Sequence, residues 1–371
     1  MKPRLLALAF ALSLSHPAAA QVSSTIEQIG DGHVIDLSQT LGPGGGSADS
    51  DISQIGGGQY AKVEQSGEAA SIMSEIRQEG AGNRIDLRQH ATNANVISTI
   101  DQAGDQNDAT VLQSVNGAYH YYLEQSVVQN GNGNRASLNQ SPSQSSAFSG
   151  ITQTGDANEA DVIQSSHFFG DSSSIFQTVN GNKTTVTQSS AASFVQQNGD
   201  DNQVTVTQEY YGSSGIAQDG DRNQAIVVQQ GFNIQADSSI SQIGDENVAN
   251  VYQRGLDDWQ SSVVAQRGDG NFAHVGQSAG SNGSYLAVTG DDNDTRVHQG
   301  GWKANNFSGI EVTGDRNTAL VQQGGDESGS NHSEMVVQGD GNTITVSQGY
   351  PAAASTIAVM GNDNVVAVTQ Q

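Results

Sequence analysis

Cysteine is absent from this chain, and basic, aromatic and proline residues are scarce. Without cysteine no disulfide bond can hold the fold together, so an exported chain of this kind needs another source of stability. The 39 acidic residues outnumber the 14 basic ones and give a formal net charge of −25 at pH 7. Such a charge disfavours nucleic acids and anionic membranes as partners. We therefore expect no nucleic-acid binding and no membrane insertion.

Long apolar runs are also lacking, except at the N-terminus. The basic start MKPR is followed by a nearly apolar run from Leu5 to Leu14, and small residues lead up to Ala20. This pattern is typical of a secretory signal peptide cleaved after Ala20, and the run is too short to span a bilayer. The sequence thus predicts a signal peptide over residues 1–20 and a secreted mature chain from residue 21. Loss of Lys2 and Arg4 with that peptide brings the formal charge from −25 to about −27.

One twelve-residue phrase recurs along the rest of the chain. Low hydrophobicity with high net charge usually indicates disorder. However, QIGDENVANVYQ at residues 242–253 closely resembles QAGDQNDATVLQ at 102–113 and QTGDANEADVIQ at 153–164. Repeats of a nearly fixed period are the signature of stacked repeat architectures. With the first position of the phrase counted as zero, the fifteen copies start at Gln28, Gln54, Gln78, Gln102, Gln129, Gln153, Gln177, Gln197, Gln218, Gln242, Gln266, Val288, Val312, Val337 and Val359.

Seven positions of the repeat are nearly constant. Position −4 is Ser in fourteen copies, −2 is always apolar, and +2 is Gly in fourteen copies. Position +5 is Asn in thirteen copies, +7 is Ala, Ile, Val or Thr, +9 is Val or Leu, and +11 is Gln in all fifteen. The constant positions on each side of the turn recur every two residues, which is the period of a strand. Each repeat therefore predicts a strand, a tight turn containing Gly and Asn, and a second strand.

Stacking of the repeats would bury a face that one repeat cannot bury alone. Equivalent residues of successive rungs would lie about 4.8 Å apart, with apolar columns inside. Gln and Asn columns would bond to the copies above and below. We predict an all-β fold, a β-solenoid of about fifteen strand–turn–strand rungs over residues 21–371, with cross-β geometry when assembled. The residues predicted to form this stacking ladder include Gln28, Gly30, Gln39, Gln54, Gln65, Gln78, Asn83, Gln89, Gln102, Asn107, Gln113, Gln242, Asn247, Gln253, Gln348, Asn364 and Gln370.

The repeats extend from Ser24 to Gln370 without a recognisable capping segment. Soluble solenoids generally carry caps, because an uncapped rung exposes backbone groups that can pair with another strand. The two uncapped edges would be different surfaces, so end-on pairing need not close into a ring. We therefore expect the chain to form an open homopolymer.

The repeat resembles the curlin repeat, which builds the subunits of bacterial curli fibres. The resemblance rests on Gln at zero, Gly at +2, Asn at +5, Ala at +7 and Gln at +11, as in QEGAGNRIDLRQ and QRGDGNFAHVGQ, and covers about Ser24 to Gln370. The conserved Ser stands four residues before the first Gln rather than six, and Gly at +4 occurs in only about half of the copies. Val replaces the first Gln in the last four copies, either as a distinct interface or as simple divergence.

The resemblance implies a function and a set of partners. Curlins are functional amyloids whose subunits stack into extracellular fibres of the biofilm matrix, which serve adhesion and surface colonisation. The resemblance also implies export through an outer-membrane secretion pore, with a nucleator subunit and a periplasmic chaperone as partners. It leads us to expect a pilus-like fibre at the cell surface, in which this chain is either the major subunit or the nucleator.

Asp follows the turn glycine in ten copies, and this acidic column has two interpretations. Carboxylate columns suit hard cations, so the turns could form a calcium ladder. The interpretation we favour is a solvated turn whose charge slows premature aggregation. The nine-residue G-G-x-G-x-D pattern of calcium-binding β-helices is absent.

Motifs for catalysis or cofactor binding are also absent. The sequence contains no HExxH, GxSxG or P-loop pattern. The seven histidines after residue 20 show no close pair and no repeated partner, so we predict no metal site. We expect neither a cofactor nor enzymatic activity. The remaining alternative is a monomeric secreted β-solenoid that binds a polysaccharide or another periodic surface, although its outward positions are irregular.

Overall fold

The computed structural model describes residues 20–143, 145–165, 170–232, 235–256, 259–301, 304–324, 329–349 and 352–370. Apart from Ala20, the predicted signal peptide lies outside the described residues. The chain divides into two compact units, and the boundary falls between Gly181 and Asn182. The described residues contain strands and turns but no helix, so no apolar helix of membrane-spanning length occurs among them.

The first unit is built from parallel strands that stack in two ladders. Its strands are β1 (Gln21–Asp31), β2 (Val34–Leu41), β3 (Gly46–Gly57), β4 (Tyr60–Glu68), β5 (Ala70–Ala81), β6 (Arg84–Ala103), β7 (Asp108–Asn130), β8 (Arg135–Gln140), β9 (Ala147–Thr154), β10 (Glu159–Gln164) and β11 (Asp171–Thr178). In each repeat we call the strand before the turn the first arm and the strand after it the second arm. First arms pair in the order β1, β3, β5, β6, β7, β9, β11, and second arms in the order β2, β4, β6, β7, β8, β10.

Strands β6 and β7 belong to both ladders, because each runs from one second arm directly into the next first arm. Their pairing is interrupted once, where the register shifts between Thr92 and Ala94. This irregularity lies in the connection between repeats. The length variation of the sequence is therefore absorbed outside the two ladders, whose registers stay fixed.

The second unit repeats the same architecture. Its strands are β12 (Lys183–Ser189), β13 (Ala192–Asn198), β14 (Gln203–Glu209), β15 (Gly212–Asp219), β16 (Gln224–Phe232), β17 (Gln235–Ile243), β18 (Val248–Leu256), β19 (Trp259–Arg267), β20 (Phe272–Ser278), β21 (Ser281–Thr289), β22 (Asp294–Gly300), β23 (Asn305–Thr313), β24 (Thr318–Gln323), β25 (His332–Gln338), β26 (Thr343–Gln348), β27 (Ala354–Met360) and β28 (Val365–Gln370). The odd-numbered strands from β13 to β27 form the first-arm ladder. The even-numbered strands from β12 to β28 form the second-arm ladder.

The core of each unit lies between its two ladders. Positions −2, +7 and +9 point inward, as in Ile240, Ala249 and Val251, which are at most 1% exposed. Full burial of a large aliphatic side chain contributes about 1.5–3 kcal/mol. Alternate positions point to solvent, as the two-residue period requires. The predicted all-β solenoid of parallel stacked coils is therefore confirmed.

Candidate functional site

Glutamine at position zero links each first arm to the next rung. In the first unit, the amide Nε2 of Gln54 donates to Oε1 of Gln78 at 2.7 Å, and Gln78 donates in the same way to Gln102 at 2.9 Å. Gln78 Nε2 also donates to the carbonyl oxygen of Tyr60 on the second arm of the preceding rung. The amide therefore ties the two arms together as well as the two rungs. The same rung-to-rung bond joins Gln28 to Gln54, Gln102 to Gln129, Gln129 to Gln153 and, in the second unit, Gln218 to Gln242.

Glutamine at +11 forms a second column with the same polarity. Gln89 Nε2 donates to Gln113 Oε1 at 3.0 Å and to the carbonyl oxygen of Met73 at 3.1 Å, while Gln89 Oε1 accepts from Gln65. Each bond runs from the amide nitrogen of one rung to the amide oxygen of the following rung. The described column also includes the pairs Gln39–Gln65, Gln253–Gln277, Gln323–Gln348 and Gln348–Gln370.

Asparagine at +5 satisfies the turn backbone from inside. Asn107 Nδ2 donates to the carbonyl oxygen of Gly131 on the next rung at 2.8 Å, and its backbone N–H donates to Asn83 Oδ1 at 2.9 Å. Both residues are fully buried. A buried amide without partners would cost about 1–3 kcal/mol, so the complete set of bonds explains why Asn is kept at this position. The same arrangement recurs at Asn247, and Asn364 bonds to Asn342 through both its backbone N–H and its Nδ2.

Glycine at +2 is required by two features of the turn. Gly30 has a φ of +133°, and a Cβ on it would lie 1.7 Å from the carbonyl oxygen of Gly56 on the next rung. No side chain fits there without moving the backbone. By contrast, the residue at +4 has ordinary left-handed geometry, such as Glu246 at φ 58°. Because L residues can adopt that conformation at modest cost, Gly at +4 is optional, which explains its presence in only part of the copies.

The acidic turn column has a structural role that the sequence analysis missed. Asp245 Oδ1 accepts the backbone N–H of Asp221 at 2.8 Å, and the backbone N–H of Asp245 donates to Asp269 Oδ1 at 2.8 Å. The bond recurs with Asn in place of Asp, as between Asp105 N–H and Asn132 Oδ1. A turn carboxylate such as Asp245 is thus a cap for the rung before it as well as a solvated charge. The nearly constant Asp or Asn at +3 was the sequence signal for this role.

Valine at position zero ends the first-arm glutamine column. Val288 pairs in register with Gln266 and is 2% exposed. Gln266 Nε2 donates instead to the carbonyl oxygens of Val248 at 3.2 Å and Asn271 at 3.0 Å. The column therefore changes from amide to aliphatic side chains, and the amide nitrogen of Gln266 still has acceptors.

The outermost described rungs bury their ladder residues less than the inner ones do. Within the described residues, β1 and β2 pair only with the rung that follows, and β27 and β28 only with the rung that precedes. Gln28 is accordingly exposed, whereas the inner ladder glutamines are buried. Gln39, Asn364 and Gln370 are half-buried for the same reason.

Two histidines form a pair that the sequence analysis did not anticipate. The rings of His274 and His298 lie on adjacent second arms with centroids 5.0 Å apart, and the ring of Tyr252 lies 5.5 Å from that of His274. Burial, then the nearby charges of His298 and Arg296, lowers the pKa of His274; burial and then Arg296 lower the pKa of His298. Their 24-residue separation exceeds the 22-residue spacing of their own two copies by two, which places the rings diagonally, so the repeat pattern carried no direct signal for the pair.

No group of three or more His, Cys, Asp or Glu side chains that could hold a metal ion occurs among the described residues. In comparisons with known proteins, no family model matches the chain and no curated protein is significantly similar to it. The functional argument therefore rests on the ladders themselves.

Proposed function

We propose that this chain is a secreted structural subunit that self-assembles end to end into extracellular, curli-like amyloid fibres of the biofilm matrix, which serve adhesion and surface colonisation. The observation that carries the proposal is a bonding pattern that recurs along each unit: backbone pairing and the +11 glutamine column continue to the last described rung even where the first-arm glutamine column ends at Gln266. Parallel backbone pairing, the amide columns and the turn caps join each rung to the next. A rung from another copy can continue the same pattern, which is the geometry of cross-β assembly.

The polarity of the +11 column supports an end-to-end contact between copies. Gln370 Oε1 accepts from Gln348, and Gln370 Nε2 donates to the carbonyl oxygen of Ala354. Gln39 donates through Nε2 to Gln65. The rung of Gln370 therefore presents its amide nitrogen to the side on which a following rung would stack, and the rung of Gln39 presents its amide oxygen to the side on which a preceding rung would stack. A last rung stacked on the first rung of another copy would extend the column with unchanged polarity.

Exposed apolar residues at matching positions support the same contact. At +1, Ile29 is 53% exposed and Met360 is 75% exposed; at +6, Val34 is 51% exposed and Val365 is 80% exposed. In-register stacking would place Met360 against Ile29 and Val365 against Val34 as cross-strand neighbours about 4.8 Å apart. Burial of these side chains favours the contact at about 25 cal/mol per Å² of apolar surface.

The partners follow from the resemblance to curlins. We propose export through an outer-membrane pore, with a periplasmic chaperone that keeps the chain unfolded and a nucleator that starts growth. The role is structural, without catalysis or a cofactor. The alternative function, a monomeric secreted solenoid that binds a polysaccharide, predicts a chain that never assembles.

Fibre formation by purified residues 21–371 tests the proposal. We expect thioflavin-positive filaments in electron micrographs within days, and a chain that stays monomeric would refute self-assembly. Met360→Lys and Ile29→Glu should each slow elongation alone, because each puts a charge against an apolar partner. An equimolar mixture should recover, since Lys then meets Glu at one junction and the wild-type pair forms at the other.

Ile243→Lys is the matched control for these variants. Ile243 occupies the +1 position of an internal rung and is 41% exposed, so its substitution should leave the elongation rate near that of the wild type. If wild-type filaments grow but Met360→Lys and Ile29→Glu match Ile243→Lys, assembly is real and the end-to-end contact is wrong.

A further inference from the structure

The outward face of the second arms in the second unit carries an open groove of about 570 Å³. It crosses five consecutive strands of this ladder, β18, β20, β22, β24 and β26. At about 4.8 Å per rung, four steps make it about 19 Å long. An open groove of this length suits a stretch of a linear polymer. A compact small molecule would be held better in an enclosed cavity.

The groove has a backbone floor at position +12. Gly300, Gly324 and Gly349 occupy this position on three successive second arms. A Cβ on Gly324 would meet no described atom within 4 Å, whereas one on Gly300 would lie 2.9 Å from Ser278 Oγ, so the floor is open at Gly324. The floor therefore lets a ligand approach the main chain closely.

Aromatic rings form one wall. Tyr252 and His298 line the groove, and the ring of His274 lies between theirs in tilted contacts, with ring centroids 5.5 and 5.0 Å apart. Gly276 pairs in register with both Tyr252 and His298, and a Cβ there would lie 3.2 Å from His298 Nδ1. The missing side chain thus lets the rings approach one another. Tyr252 remains 39% exposed, which leaves part of its ring available for contact.

The polar side chains of the groove restrict the ligand class. Ser278, Gln322 and Ser347 provide uncharged hydrogen-bonding groups, and Arg254 provides the one guanidinium. Among the described residues that line the groove there is no Asp or Glu, although the chain has 39 of them. These described lining residues therefore offer no carboxylate ligand to a cation. A polyanion would be repelled by the formal charge of −25.

We propose that this groove binds a neutral linear oligosaccharide. The apolar face of one sugar ring packs on the ring of Tyr252, because an aromatic ring offers a flat apolar surface next to polar groups. Gln322, Ser347 and Arg254 bond to hydroxyl groups along the chain. Because the groove lies on the outward face of internal strands rather than at the outermost rungs, the inference does not depend on self-assembly.

Titration of freshly desalted monomer tests the groove before filaments form. The probes are cellohexaose, maltohexaose and chitohexaose, with hexagalacturonate as the anionic comparison, followed by calorimetry. We expect saturable binding of at least one neutral hexasaccharide and weaker binding of hexagalacturonate. Absence of binding to all three neutral probes, or tighter binding of the anion, would overturn the proposal.

Variants locate the binding. Tyr252→Ala removes the ring surface and Gly324→Leu fills the floor, and each should weaken binding by about tenfold, which corresponds to about 1.4 kcal/mol. Tyr285→Ala is the control, because Tyr285 is 46% exposed on the first-arm face of the same unit. Equal affinities for wild type, Tyr252→Ala and Gly324→Leu would overturn the assignment. Unchanged thermal unfolding of Gly324→Leu shows that its loss of binding is not a loss of fold.

Discussion

At the residue scale, the fold buries many amide side chains although it has no disulfide bonds, and the bonds between rungs make this burial possible. Gln and Asn can occupy inward positions because each one meets a copy of itself on the neighbouring rung at hydrogen-bonding distance. The net gain of one such bond is about 1 kcal/mol, but the penalty for leaving a partner unsatisfied is larger. The ladders therefore specify the register more strongly than their net stability indicates.

Gln89→Ala tests this asymmetry. Gln89 is 1% exposed, and its loss leaves Gln65 Nε2, Gln113 Oε1 and the carbonyl oxygen of Met73 each without one bond. We expect the free energy of unfolding to fall by roughly 3 kcal/mol or more, measured by urea denaturation. The outward-facing Gln224 also donates to a glutamine, Gln203 on the preceding rung, yet Gln224→Ala should cost only about 0.5 kcal/mol. Equal losses would show that burial does not set the cost.

Two turn glycines should respond differently to the same substitution. At Gly244, φ is +112° and a Cβ would lie 2.3 Å from the carbonyl oxygen of Gly268, so Gly244→Ala should destabilise the fold by roughly 3 kcal/mol or more. At Gly133, φ is +64° and a Cβ would meet no atom within 4 Å, so Gly133→Ala should cost about 1 kcal/mol. Thermal unfolding of both variants compares them. A similar cost at both positions would mean that the close approach between rungs is not what keeps Gly at +2.

Sequence periodicity was sufficient to predict which residues face inward. It was not sufficient to predict which turn side chains bond to the backbone of another rung. The two-residue period around each turn identifies the amide columns, because a strand leaves only one inward set of positions. The cap made by Asp245 for the backbone N–H of Asp221 could not be deduced in this way, since it depends on the distance between the turns of two rungs. From the sequence alone, a charged residue in a turn is equally compatible with a solvated side chain and with a backbone cap.

At the element scale, parallel in-register pairing turns single residues into columns of like groups. This arrangement stabilises amide columns and is unfavourable for charges, as the side chains on β20 and β22 show. His274 lies beside Arg296 in register and diagonally beside His298. Pairs of this kind arise from the spacing of two repeats together. They are therefore easily overlooked when each repeat is considered alone.

The histidine pair predicts a loss of stability in acid. Burial and neighbouring positive charge lower the pKa of both rings below the ordinary 6.5, with Asp294 opposing the shift at His274. The unfolded chain therefore binds more protons than the folded one just below pH 6.5. Stability is full above that pH and falls as the pH drops toward the folded pKa values. Melting temperatures measured from pH 7.5 to 5 check this.

The double variant His274→Gln/His298→Gln should lose this part of the pH dependence. Tyr285→Ala is the control, because it removes an exposed ring on β21 of the other ladder and leaves every histidine in place, so it should keep the wild-type profile. If the double variant retains the full acid sensitivity between pH 6.5 and 5, the pair is not its source.

At the scale of the whole molecule, composition and repetition predicted the fold class but not the surface features. The fifteen copies required stacking, because a single strand–turn–strand unit has too little surface to bury. The groove beside Tyr252 was not predictable in this way, since it depends on the absence of side chains at Gly300, Gly324 and Gly349 on adjacent strands. Variable outward positions carry no periodic signal, so their combination emerges only once the register is known.

The net charge of the whole chain should control how fast copies associate. Molecules of residues 21–371, each with a formal charge of about −27, repel one another over the Debye length, which shrinks from about 30 Å at 10 mM salt to about 8 Å at 150 mM. The elongation rate of the proposed fibres should therefore rise with NaCl over this range. Calcium at matched ionic strength should give the same rate as sodium, because one oxygen, Oδ1, of turn carboxylates such as Asp245 and Asp269 already accepts a backbone N–H group. A faster rate with calcium that a chelator reverses would instead show that the acidic column binds the cation. An elongation rate that does not change with NaCl would mean that repulsion between the net charges of two copies does not limit their association.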